Sequence, residues 1–151
     1  MFRIMEEFNE LQKVINLFQN VGCYGNSNNI FIACKDMRKS SGLIGGMEYP
    51  FEGVIINQTD NGIGMFYLKQ PGLVLTQNVA KMILDKNSYI FISNSNIKKI
   101  KIKNYALLNS KVKSITIDTN DGRSYKLFAR LNEKDIPYQN DNLQRFINSQ
   151  L

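Results

Sequence analysis

Residues 112–130 read VKSITIDTNDGRSYKLFAR. Ile115 and Ile117 alternate with polar neighbours, and RSYKLFAR (123–130) is a second strand candidate after the turn. Strict alternation is the period of a half-buried strand. Asn120-Asp121-Gly122 between them supplies residues that accept positive φ, so the segment predicts two antiparallel strands joined by a tight turn.

Working back from this hairpin, short strands recur at close spacing. VIIN (54–57) and GMFYLK (64–69) flank QTDNG, a second hairpin loop. GLVLT (72–76) runs into VAKMIL (79–84); DKN turns the chain into SYIFIS (88–93), and SNS leads into IKKIKIK (97–103). VAKMIL alone suits helix as well as strand, but it is short and has strand candidates on both sides. Taking 72–84 as one bent strand gives seven strands. Without crossover helices this predicts a barrel or sandwich and not βαβ units. Pro137 and a polar cap at Asn140 or Asp141 introduce a closing helix with Leu143, Phe146 and Ile147 on one face.

Residues 2–20 have a different period. Ile4, Met5, Phe8, Leu11, Ile15 and Phe18 recur at helical spacing, with Glu6, Glu7, Glu10 and Lys13 off the stripe and Gly22 as the stop. The stripe is a docking face, for the chain's own core or for a partner subunit. An acidic polar face argues against an interfacial membrane helix. Between this helix and residue 50 the chain is turn-rich, with GNSNN and SSGLIGG around one short strand candidate, IFIAC (30–34). GLIGG lacks the Lys-Ser/Thr of a phosphate loop. The division that follows is a helix and irregular extension over 1–50 and a β domain over 52–151, packed as one unit.

At 151 residues the chain is one domain's worth, with 43% hydrophobic residues and a formal net charge of +6. The charge is localised. Residues 86–117 hold seven lysines and no acid, leaving 12 basic and 13 acidic residues elsewhere. The abundance of Asn, Ile and Lys reads as base-composition bias more than function, which discounts part of the lysine signal. No apolar run approaches the roughly 18–20 residues that span a bilayer, and acids interrupt the N-terminus where an export signal needs an apolar stretch. The expectation is a cytoplasmic protein with no transmembrane segment, in which Cys23 and Cys34 are two reduced thiols and not a disulfide.

The run LVLTQNVAKMILDKNSYIFISNSNIKKIKIKN (73–104), followed by ITIDTNDGRSYKLF and a closing helix, resembles bacterial pleckstrin-homology-like (PH-like, GRAM-type) domains over roughly 52–151. The resemblance implies a mainly β fold: a PH-like barrel of two near-orthogonal antiparallel sheets with a C-terminal capping helix, here with an added N-terminal amphipathic helix. It also implies a binding or assembly module. Two departures stand out. The early hairpin carries QTDNG where lipid-binding members carry basic residues, and Phe146 stands where many members hold a tryptophan.

Chemistry is sparse. The chain contains no histidine, which removes the usual general base, the Ser-His and Cys-His pairs and the commonest metal ligand. Two cysteines cannot supply a four-ligand zinc site. The expectation is a non-catalytic protein with no cofactor and no metal.

What remains is the lysine strand. Alternation puts Lys99, Lys101 and Lys103 on one side and Ile100 and Ile102 on the other, with Lys98 at the strand's entry. Lys111 and Lys113 share parity with Ile115 and Ile117, so either they lie beyond the sheet or a bulge intervenes. Two readings stay open. Lysines on an exposed strand discourage edge-to-edge pairing, or these five form a face for an anionic lipid surface or protein partner. Nucleic acid is the poorer partner, because the segment has no Arg and few aromatics. Self-association through Phe8, Leu11, Ile15 and Phe18 is the alternative.

Overall fold

The computed structural model describes residues 9–23, 25, 27–39, 48–72, 78–106 and 109–150. In chain order these form α1 (Leu11–Asn20), β1 (Asn28–Lys39), β2 (Glu48–Thr59), β3 (Gly62–Lys69), β4 (Ile83–Leu84), β5 (Ile90–Ser93), β6 (Ile97–Ala106), β7 (Asn109–Thr119), β8 (Ser124–Arg130) and α2 (Gln139–Ser149). The fold is mainly β, a single antiparallel sheet of eight strands with two helices. The order is β4-β3-β2-β1-β8-β7-β6, and β5 takes the other end of the β3 edge.

β1 through β3 are apolar on both faces, so alternation is weak there and hydrophobicity nearly continuous. In register, Ile30, Ile32, Ile55, Phe66 and Leu68 fall on one face, and Phe31, Ala33, Val54, Ile56 and Met65 on the other. The first face is covered by Val14 and Phe18 of α1, by Val79 and Ala80 of a 3₁₀ turn, and by Ile136 and Tyr138. The second meets Ile115 and Ile117 of β7, Leu127 and Ala129 of β8, and Leu143 and Phe146 of α2. Phe18 lies edge-on to Phe66 at 5.2 Å, and Phe31 packs on Phe146 at 4.9 Å.

Several local expectations are corrected. Residues 2–20 are not one helix: Glu10 has extended backbone and caps a helix that begins at Leu11, while residues 1–8 lie outside the described set. Gly22, at φ +85°, ends α1 as the sequence predicts. Asn28–Lys39 is the middle strand of the sheet, far longer than IFIAC and within the stretch read as an irregular extension. VAKMIL is not a strand throughout. The Asn78 side chain accepts from the Ala80 amide and curls Val79–Lys81 into a 3₁₀ turn, leaving Ile83–Leu84 as strand. Residues 73–77 and the GLIGG segment lie outside the described residues.

The join between β1 and β8 organises the rest. Direct register between them is the single pair Cys34↔Phe128, and β1 carries an irregularity between Cys34 and Asp36. Such an extra residue bends a strand and increases its twist. Continued register would pair Ile32 with Arg130, but the strands diverge and α2 enters between them. The Gln139 carboxamide takes the missing place. Its Oε1 accepts from Ile32 N at 2.8 Å, and its Nε2 donates to both Ile32 O and Arg130 O at 2.8 Å. One helical turn later, Asn142 Nδ2 donates to Ile30 O at 2.8 Å and Asn29 Nδ2 donates to Asn142 O at 3.0 Å. The sequence reading placed Leu143, Phe146 and Ile147 on the apolar face of this helix; it missed two amides that are 0% and 7% exposed.

Gln139→Leu keeps the volume and strands two buried backbone groups and one part-buried carbonyl, so urea unfolding should report a loss of about 3 kcal/mol, from about 1–3 kcal/mol per unsatisfied group with partial relaxation. Cys23 and Cys34 are buried thiols, and burial pushes the Cys23 thiol above its ordinary value. Both should resist a thiol-specific chromogenic reagent in the native protein and react fully once it is unfolded in urea.

Candidate anionic-ligand face

β6 ends the sheet, and its alternation is the one expected. Lys99, Lys101 and Lys103 are exposed, while Ile100 and Ile102 pack against the second core cluster. Pairing carries the pattern across three strands. Lys99, Lys101 and Lys103 lie opposite Asp118, Thr116 and Ser114 of β7, which lie opposite Ser124, Lys126 and Phe128 of β8. Directly paired residues share a face, so Lys126 joins the three lysines. At the far end of the strip, Tyr105 stands edge-on to Phe128 at 5.1 Å, and Lys126 Nζ lies 5.8 Å from that ring.

Lys98 is re-aimed by a bulge. Ile97 pairs with Thr119 and Lys99 with Asp118, which leaves Lys98 as an extra residue. It is exposed and lines a shallow cleft of about 400 Å³ with Lys99, Lys101, Arg123 and Asp118. Four cations and one acid line it, and a second acid, Asp121, lies with Oδ2 3.8 Å from Arg123 Nε. Asp118 Oδ2 lies 3.8 Å from Lys101 Nζ, and Ser124 Oγ donates to its other oxygen at 2.7 Å.

Lys111 and Lys113 do not join this face. β7 and β8 pair without a bulge, so Lys113 keeps the parity of Ile115 and Ile117 and lies opposite buried Ala129. Its ammonium donates to Asn104 Oδ1 at 2.7 Å. Lys111 shares that parity and is exposed. Charge counting does not single out Lys126 or Arg123, which lie beyond the acid-free segment. The signal for Lys126 is the hairpin register, since a turn at 120–122 sets Thr116 opposite it. Of the residues read as an assembly stripe, Phe18 is fully buried in the chain's own core, Leu11 and Ile15 pack partly buried against it, and Phe8 lies outside the described residues.

Asparagines knit the loops beside the cleft. Asn94 Nδ2 donates to Asp60 O at 2.8 Å, Asn120 N donates to Asn96 O at 2.8 Å, and Asn120 Nδ2 donates to Ser95 O at 3.0 Å. The β7–β8 turn is closed by Thr119, whose hydroxyl bonds the Asp121 carboxylate and accepts from Arg123 N, with Gly122 at φ +91°. No three His, Cys, Asp or Glu side chains converge as metal ligands among the described residues. No helix among them is long and apolar enough to cross a membrane.

Comparison with protein-family models, with curated proteins and with solved structures gave no match.

The Thr119 hydroxyl, helped by Asn96 and Arg123, holds the Asp121 carboxyl below its ordinary value. A lowered carboxyl stabilises the fold above the ordinary carboxylate range, and that contribution disappears as pH falls through the lowered value. Asp121→Asn should therefore melt below the parent at neutral pH, with the difference closing as the solution is acidified; thermal melts across that range check it.

Proposed function

We propose that the chain is a non-catalytic binding module of PH-like plan whose β6–β8 face docks on an anionic lipid surface. The observation that carries this reading is the exposed row Lys99, Lys101, Lys103 and Lys126, continued by Lys98, with Asp118 among them and Arg123 beside it paired with Asp121. A solubilising edge needs charge of either sign, mixed with its opposite. Here one sign is concentrated across three paired strands, beyond the edge that lysines would protect.

Magnitudes favour weak, reversible association. Each lysine near an anionic leaflet contributes about 1 kcal/mol, so four supply about 4 kcal/mol before entropy losses. Attraction of this kind weakens with salt, because the Debye length is about 8 Å at physiological ionic strength. The PH-like plan is supported by the order of elements: strands β1 to β5, then β6 to β8, then a C-terminal helix seated where the two groups part. In the plan these groups are two near-orthogonal sheets, and the helix caps the open corner.

Sedimentation with vesicles containing phosphatidylserine tests the reading. The parent chain should bind at low salt and release at high salt. Reversing Lys99, Lys101 and Lys103 to Glu should abolish binding and leave the melting temperature nearly unchanged, since all three side chains are exposed. Binding that survives the reversal, or a parent that ignores anionic vesicles, would overturn it.

A further inference from the structure

Away from the lysine face, β1, β2 and α2 enclose a second cleft of about 550 Å³ lined by Ser27, Asn28, Asn29, Gln58, Thr59, Arg145 and Ser149. Its chemistry differs from the first. The lining holds one charge, the Arg145 guanidinium, among amides and hydroxyls, and among the described residues Arg145 has no carboxylate partner.

The guanidinium is held in one orientation. Arg145 Nη1 donates to Asn29 Oδ1 at 3.1 Å and to Asn142 Oδ1 at 3.0 Å, which uses both of its hydrogens. Neither acceptor can turn away. Asn29 Nδ2 is bound to Asn142 O, and Asn142 Nδ2 to Ile30 O, so each amide must present its oxygen to the arginine. Both residues are buried. The Nε and Nη2 hydrogens are left as a side-on fork, the geometry that matches the two oxygens of a carboxylate.

The surrounding amides indicate what the carboxylate is attached to. Gln58 pairs directly with Asn29 and so shares its face with the arginine, whereas the Asn28 side chain is tied to Asn57 on the other face at 3.0 Å. The Gln58 amide makes no hydrogen bond among the described residues and offers both a donor and an acceptor. We infer that this cleft binds a small monocarboxylate with a neutral, amide-bearing body, the acid on Arg145 and the amide on Gln58. A phosphate dianion suits it less, because no second cation lines the cleft. The volume is within the range for small-molecule sites, about 300–1,000 Å³.

N-acetylglycine is the probe, with the neutral N-acetylglycinamide as control, in NMR titrations of the full chain at constant ionic strength. N-acetylglycine should give saturable shifts at Gln58 and the Arg145 Nε–H, with a dissociation constant of about 1 mM. The amide should give none. Arg145→Lys keeps the charge and loses the fork, so affinity should fall by about tenfold or more, about 1.4 kcal/mol. Gln58→Ala touches no bond that holds the fold and should weaken binding several-fold at an unchanged melting temperature. Reversing Lys99, Lys101 and Lys103 should leave this binding intact, which separates it from the lipid-docking face. Equal shifts with the neutral amide, no saturable shift in the parent chain, or unchanged affinity in Gln58→Ala or a folded Arg145→Lys would overturn the inference.

Discussion

One carboxamide replaces a stretch of backbone ladder. Where β1 and β8 part company, Gln139 answers the donor and acceptor of Ile32 and the carbonyl of Arg130. Backbone groups buried without partners are costly, so a sheet can open in its middle only if something with a peptide's bonding pattern fills the gap. A glutamine side chain has that pattern, a carbonyl and an N–H₂ in one plane. With the gap satisfied, α2 can enter, and Leu143 and Phe146 reach the core shared by β1–β3 and β7–β8. The bend at Cys34–Asp36, the wedge of α2 and the amides of Asn29 and Asn142 follow from this opening.

The legible parts of the fold were those governed by local rules. Asn120-Asp121-Gly122 fixed one hairpin and its flanking alternation, and Gly22 ended a helix. The illegible parts depended on distant partners. Nothing near IFIAC announces that the strand runs from Asn28 to Lys39, because its polar ends are strand only through pairing with β2. Likewise VAKMIL is curled by an Asn78 bond that its own propensities do not suggest. The asparagines that read as compositional bias satisfy loops around the first cleft and orient the arginine of the second. An amide's role depends on which backbone group comes to face it, and composition does not carry that.

The two clefts divide the same physical vocabulary differently. The lysine face is flat and exposed, so its strength lies in the number of charges and its reach in ionic strength. In the second cleft a single charge is fixed by buried amides, and directional bonds take the place of charge count. The lysine strand itself was readable from alternation alone. Its extension to Lys126 required the register of the neighbouring hairpin, and the re-aimed Lys98 required a bulge. Lys111 and Lys113, close in sequence, are separated from it by strand parity.

The Gln139–Ile32 bonds span 107 residues of chain. During synthesis, β1 therefore emerges long before the helix that completes its edge. Until α2 is made, the backbone of Ile30 and Ile32 presents open donors and acceptors between two apolar faces, the configuration that recruits foreign strands. Vectorial production thus leaves a window, longer the slower the elongation, in which the middle strand's edge is open to foreign strands.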